Sequence, residues 1–158
     1  MKIAVISDTH RDSRYIDIAK NIIKDTDILI HLGDNIDDAE ELSKGYKGKV
    51  YIVKGNCDYT NSYPSEQIIE VEGKRIFFTH GHNYGVKMSL NNIFYKAKEV
   101  EADIALFGHT HVAIIEKEDG IIFMNPGSIS LPRIKGRYIG FINIEEEKDI
   151  DIYLKEIK

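Results

Sequence analysis

The sequence predicts an α/β fold of two packed sheets with helices on the outer faces, an α/β/β/α sandwich. Its first third alternates short apolar strands with amphipathic helical stretches, a βαβαβ start that implies parallel pairing and right-handed crossovers. Its last third changes to strand pairs around turns, which predicts a second, mostly antiparallel sheet packed on the first. Seven residues with metal-ligating side chains follow these strands directly, and open α/β sheets place their sites outside the carboxyl ends of strands.

The first strand is the apolar run Lys2 to Ser7. From Ser13 to Lys24 the chain reads as a helix, because Ile16, Ala19 and Ile23 share one face and Asp12 or Ser13 can cap its amino end. Asp27 to Leu32 reads as a buried strand, Asp37 to Ser43 as a short helix, and Lys49 to Lys54 as a third strand. The loop from Thr60 to Glu66 is too short to hold a cap domain. Gln67 to Glu72 and Lys74 to Thr79 form a hairpin turning at Gly73. A helix follows from Ser89 to Val100, with Leu90, Ile93, Ala97 and Val100 on one face, and then the apolar run Ile104 to Phe107. Val112 to Lys117 and Ile121 to Asn125 flank the turn Asp119-Gly120. Tyr138 to Ile144 and Asp149 to Lys155 flank the polar run Glu145 to Lys148, and the last strand alternates Ile150, Ile152 and Leu154 with polar residues. No repeat, low-complexity stretch or long linker interrupts this series, so residues 1–158 are expected to form one domain.

Composition narrows the function classes. A chain of this length buries a core without disulfides. No apolar run approaches the roughly 20 residues that span a bilayer, and the first strand starts too early for a signal peptide to precede it. One cysteine cannot form an internal disulfide, which fits a cytoplasmic location. The formal net charge of −5 disfavours extended nucleic acid as a partner, since that needs a basic face. It leaves room for a small phosphorylated substrate, because bound metals supply positive charge locally.

The donors are Asp8 and His10 after the first strand, Asp34 after the second and Asn56 after the third. His80 follows the hairpin, and His109 and His111 follow Ile104 to Phe107. Any one of them alone reads as a cap or a hydrogen-bonded loop residue. Together they are hard to explain that way, since His10, His80, His109 and His111 account for four of the six histidines. Carboxylates, imidazoles and an amide oxygen suit divalent transition metals better than calcium or magnesium. The pattern predicts a two-metal hydrolase.

These motifs resemble those of the calcineurin-like metallophosphoesterases, whose ordered signature runs D-x-H, G-D, G-N-[HC]-[DE], H and G-H-x-H. Here they stand as Asp8-Thr9-His10, Gly33-Asp34, Gly55-Asn56-Cys57-Asp58, Thr79-His80-Gly81-His82 and Gly108-His109-Thr110-His111. The small size, Cys57 and the loop Asn125-Pro126-Gly127-Ser128 look most like the small bacterial and archaeal phosphodiesterases of that superfamily. The resemblance implies the same sandwich fold. It assigns Asp8, His10 and His111 to one metal and Asn56, His80 and His109 to a second, with Asp34 bridging both. The implied cofactors are two divalent cations, manganese first, with nickel, iron, cobalt and zinc as alternatives. A bridging hydroxide would attack phosphorus in line, and both metals would neutralise the non-bridging oxygens.

The implied substrate is a small phosphodiester. The same ligand set also serves phosphomonoesterases and nucleases, and a relative of the fold in endosomal coat assembly acts as a scaffold with lost ligands. Homo-oligomers occur among small members of such families, and no membrane partner is expected. His82 is expected on an exposed loop, as an added ligand or a substrate contact. Cys57 stands where many members carry a histidine that protonates the leaving group, which predicts a slower enzyme more dependent on good leaving groups. Asp58 is grouped with the catalytic loop as a support, and Arg11 with Asn56 and His82 as substrate contacts. Arg133 is a further candidate substrate contact, Tyr59, Tyr63 and Tyr84 are candidates to stack on a base, and His31 reads as a buried, hydrogen-bonded core histidine.

Overall fold

The computed structural model describes all 158 residues. One sheet contains β1 (Lys2–Ile6), β2 (Ile28–His31), β3 (Lys49–Ile52), β9 (Arg137–Asn143) and β10 (Asp151–Ile157), in the order β10-β9-β1-β2-β3. The other contains β4 (Glu66–Val71), β5 (Lys74–Thr79), β6 (Ile104–Leu106), β7 (Ile114–Glu118) and β8 (Ile121–Asn125), in the order β4-β5-β6-β8-β7. Helices α1 (Ser13–Ile23) and α2 (Ile36–Ser43) cover the first sheet, and α3 (Asn91–Glu99) covers the second. This is the predicted sandwich. No helix is long and apolar enough to cross a membrane.

The period-two alternation of the strands builds the layers. Along β1, Ile3 and Val5 face the central core, where they meet Ile76, Phe78, Ile104 and Leu106 of the other sheet. Ala4 and Ile6 point the opposite way, against Ile16, Ala19 and Ile23 of α1. Phe77, Ala105 and Phe123 do the same for α3 through Ile93 and Ala97. Full burial of each such Ile or Phe side chain contributes about 1.5–3 kcal/mol. Packing of this kind, and not capping, holds α1: Asp12 occupies the N-cap position without a side-chain hydrogen bond, and its carboxylate lies 3.6 Å from Arg14.

Two expectations about the sheets need correction. The second sheet is mixed and not mostly antiparallel: β4–β5 and β7–β8 are antiparallel, whereas β5–β6 and β6–β8 are parallel. Helix α3 lies between β5 and β6 in the chain, and a helical crossover returns the chain parallel to where it left. The final hairpin joins the first sheet, β9 pairing antiparallel with β1. Residues Ile139 to Ile142 are buried without a break, and a strand buried on both faces belongs inside a covered sheet.

The stretch between β3 and β4 carries no inserted helix or strand. The strand-end loops that bear the predicted donors thus meet along one rim of the sandwich.

Candidate metal centre

Five of the seven donors sit where the backbone is held against its own preference. Asp8, His10, Asp34, His109 and His111 all have positive φ, between 46° and 69°. Non-glycine residues in this left-handed region cost about 1–2 kcal/mol each, and such positions persist only where surrounding contacts over-determine them. Asp58 supplies much of that determination. Its carboxylate accepts the backbone N–H groups of Asp34 and Gly55 (both 2.8 Å) on Oδ2 and of Asn35 (2.8 Å) and Ile36 (3.0 Å) on Oδ1. Its acceptor sites are filled by backbone, an arrangement that ties the Asp34 loop to the Asn56 loop as the expected support of that loop would.

The glycines of the motifs have steric reasons. A Cβ at Gly55 would overlap the Asp34 carboxylate, and one at Gly108 would overlap the Ser7 hydroxyl and lie 2.8 Å from Asp8 Oδ2. The loops bearing Asn56 and His109 approach the two carboxylates too closely for any other residue.

Three groups form the first cluster. Asp8 Oδ1 lies 3.2 Å from His111 Nε2 and 3.9 Å from His10 Nε2, and the two imidazole nitrogens are 3.1 Å apart. In the second, His80 Nε2 lies 3.4 Å from Asp34 Oδ2 and 3.2 Å from His109 Nδ1. Each set offers donor atoms that all lie within 4.8 Å of one another. The clusters adjoin, since Asp8 Oδ1 is also 3.9 Å from His80 Nε2.

Hydrogen bonding decides what these atoms present. His80 donates its Nδ1–H to the Leu32 carbonyl (2.8 Å), and His111 donates its Nδ1–H to the Leu131 carbonyl (2.9 Å). In its neutral form each ring therefore turns an Nε2 lone pair into its cluster, an arrangement typical of metal-ligating histidines. Asp8 Oδ2 accepts the Ser7 hydroxyl and the His109 N–H (3.1 Å), whereas the buried Asp8 Oδ1 has no hydrogen-bond partner. Converging lone pairs around an orphaned carboxylate oxygen are stabilised by a cation, and the nitrogen and oxygen set fits a divalent transition metal.

The titration behaviour agrees with strongly coupled charges. Burial alone would raise the Asp8 pKa, but His111, His80 and the Ser7 hydroxyl together hold it below the usual carboxylate value. Asp34 is likewise lowered against burial, by His80 and the Cys57 N–H, which donates to Oδ1 at 3.0 Å. His80 is raised because Asp34 and Asp8 outweigh its burial, and His109 falls to about 4 through burial and the charges of His80 and Lys87.

The other predicted residues are placed less centrally. Asn56 is exposed on the third loop, its amide donating to Cys57 Sγ at 3.8 Å. Cys57 is exposed, and burial of the thiol together with the nearby Asp34 and Asp58 carboxylates raises its pKa. His82 is half-buried at the start of a 3₁₀ turn and not on an exposed loop. Its ring lies 5.4 Å from His80 and 6.1 Å from His109, outside both clusters, with a buried Nδ1 that has no partner. Arg11 is exposed in a cleft shared with Asn35, Cys57 and Asp58, while its N–H donates to Asp38 at 2.7 Å. Tyr59 and Tyr63 line the same cleft. Tyr84 instead packs on Phe77 and donates to Glu66 at 2.6 Å. His31 is fully buried between Thr9 and the Gly33 N–H, and burial lowers its pKa to about 4.

Sequence reasoning missed Ser128 and Ser130. Their hydroxyls donate to the backbone carbonyls of Asp8 (2.6 Å) and Thr9 (2.7 Å), clamping the first loop from more than 100 residues away. Asn125 clamps the His109 loop by donating to the Gly108 carbonyl (3.1 Å) and to Thr110 Oγ1 (2.8 Å). The only signal for them was the Asn125-Pro126-Gly127-Ser128 turn itself.

Comparison with known proteins gives the family. Residues 1–149 match the calcineurin-like phosphoesterase superfamily domain. A probable metallophosphoesterase of Bacillus subtilis, YsnB, is 36% identical over 137 residues, covering 85% of this chain and 79% of that protein. The Escherichia coli phosphodiesterase YfcE is 33% identical over 96 residues, covering 54% of this chain and 47% of its own. The crystal structure of a conserved Streptococcus pneumoniae protein, described as a predicted phosphoesterase, superposes with a TM-score of 0.77 at 29% identity over 98% of this chain and 97% of that one. The chain belongs to the calcineurin-like phosphoesterase superfamily. It is a metal-dependent phosphoesterase.

Proposed function

We propose that this phosphoesterase hydrolyses small phosphodiesters at a dinuclear centre. The observation that carries the reading is the pairing of two carboxylate–imidazole clusters, Asp8/His10/His111 and Asp34/His80/His109, which adjoin through Asp8 and His80. In this reading Asp34 is shared and Asn56 completes the second set. Manganese is the first choice of metal. The preference for diesters draws support from the likeness to a protein named as a phosphodiesterase. A single domain without a cap and a cytoplasmic location belong to the same reading.

Bound metals would supply Lewis acidity, lowering the pKa of water to about 7 and neutralising phosphoryl charge. The protein's own contribution is positioning. The Leu32 and Leu131 carbonyls hold His80 and His111 in one tautomer and orientation, and Asp58 fixes the loops of Asp34 and Asn56 against each other. Arg11 stands at the cleft mouth with a permanent charge for a phosphate oxygen. His82 offers its unpartnered Nδ1 beside the second cluster. Cys57 remains a thiol near neutrality because its pKa is raised, and it can offer the leaving oxygen only a weak hydrogen bond.

The test is hydrolysis of a chromogenic phosphodiester and its monoester counterpart after metal stripping and manganese re-addition, with Asp34→Asn alongside. The expected result is manganese-dependent diester turnover that falls at least about 100-fold in the variant. Absence of turnover with every divalent metal, in a folded protein, would overturn the reading.

A further inference from the structure

The two clefts beside the centre have opposite chemistry. The cleft at Arg11, Cys57 and Asp58 is polar, with Asp37, Thr60 and Ser62 also on its wall. On the other side lies a cavity of about 740 Å³ whose wall is made by Val86, Leu90, Phe107, Val112 and Ile114. That volume lies within the range of sites that hold small organic ligands, which are mostly apolar with a few placed polar groups. Here the placed groups are two cations, Lys87 and Arg133, together with Thr110 and Glu116.

The cavity borders the loop that carries His109 and His111. Thr110 stands between His109 and His111, and Phe107 and Val112 bracket the same loop. The Arg133 N–H donates to the His111 carbonyl at 3.1 Å, and the Thr110 hydroxyl accepts the Val112 N–H at 3.2 Å. An anionic phosphodiester at the centre would thus meet cations on the side where the apolar wall begins. Met88, next to Lys87 in the chain, is 90% exposed, and Leu131, whose carbonyl holds His111, is 55% exposed.

We infer that the substrate is a phosphodiester carrying one apolar arm, which lies against Val86, Leu90, Phe107, Val112 and Ile114, with Lys87 and Arg133 on the cavity wall to face its phosphate. This rests on the phosphodiesterase reading above and adds the substrate class to it. A purely polar diester would leave the apolar wall in water, so the wall discriminates in favour of the apolar arm.

The experiment is calorimetric binding of diphenyl phosphate and dimethyl phosphate to the manganese-loaded protein, with Ile114→Asp and Leu90→Gln, which change the wall from two different elements. Diphenyl phosphate should bind at least about tenfold more tightly. Each variant should collapse that preference towards unity, while Lys87→Ala should weaken both probes alike. Equal binding of the two probes, or a preference that survives both wall variants, would overturn the inference. Turnover of the chromogenic diester is scored separately: an intact binding preference without turnover would remove the phosphodiesterase reading and leave the apolar wall as a ligand site.

Discussion

Asp8 Oδ1 lies 3.2 Å from His111 Nε2, and neither atom donates to the other. The Nδ1–H goes to the Leu131 carbonyl, so in the neutral ring the Nε2 lone pair faces a carboxylate oxygen that has no hydrogen-bond donor. That arrangement is unfavourable alone and favourable around a cation.

Metal binding should therefore stabilise the fold. At manganese concentrations of 100 times Kd the gain is about 2.7 kcal/mol, a rise in Tm of roughly 5–10 °C for a domain of this size. Asp8→Asn should lose most of that rise. Its metal-free form should melt below the metal-free parent, because His111, His80 and the Ser7 hydroxyl stabilise the charged carboxylate in the folded protein. A scan with and without manganese checks both, and an unchanged metal shift in the variant would contradict the ligand assignment.

Asp58→Ala should destabilise the protein by about 3 kcal/mol, since it strands four backbone N–H donors at once. The expected Tm loss is roughly 6–12 °C. Manganese affinity should fall with it, because the Asp34 and Asn56 loops lose their common anchor. Urea unfolding and a metal titration on the same sample separate the two effects.

His31 gives a pH dependence with a defined sign. Its folded pKa of about 4 lies below the ordinary 6.5, so the unfolded chain binds the extra proton between those values. Stability is present in full above pH 6.5 and is lost as pH falls towards 4, by about 3 kcal/mol. His31→Gln has nothing to titrate there. The stability difference between parent and variant should be constant above pH 7 and move in the variant's favour by that amount near pH 4. Parallel denaturant curves across the range would expose a flat difference if burial of His31 were unimportant.

Cys57→His should raise turnover most for poor leaving groups. A thiol with a raised pKa is a weak donor, whereas an imidazolium protonates a leaving oxygen well. The slope of log kcat against leaving-group pKa should become shallower in the variant. Identical slopes across a series of aryl phosphodiesters would show that position 57 only fills space.

Much of the fold was readable because its signals are local. Ile16, Ala19 and Ile23 marked the buried face of α1, and Gly73 and Asp119-Gly120 marked their hairpins. The pairing of β9 with β1 was not readable, because hairpin signals say which strands are joined and nothing about which sheet edge receives them. The parallel β5–β6 pair could have been foreseen from α3 between them.

The sequence by itself determined the donor inventory, its delivery at strand ends, the superfamily and hence the metal-dependent chemistry, since each of these is written in short motifs. Tertiary structure alone decided which donors meet. His10 contacts His111 across 101 positions, and Ser128 reaches Asp8 across 120. It also turned Asp58 into an anchor, kept His82 outside both clusters and lined a neighbouring cleft with apolar side chains. Such outcomes depend on long-range strand order and on which loops are brought side by side, and no local periodicity encodes either.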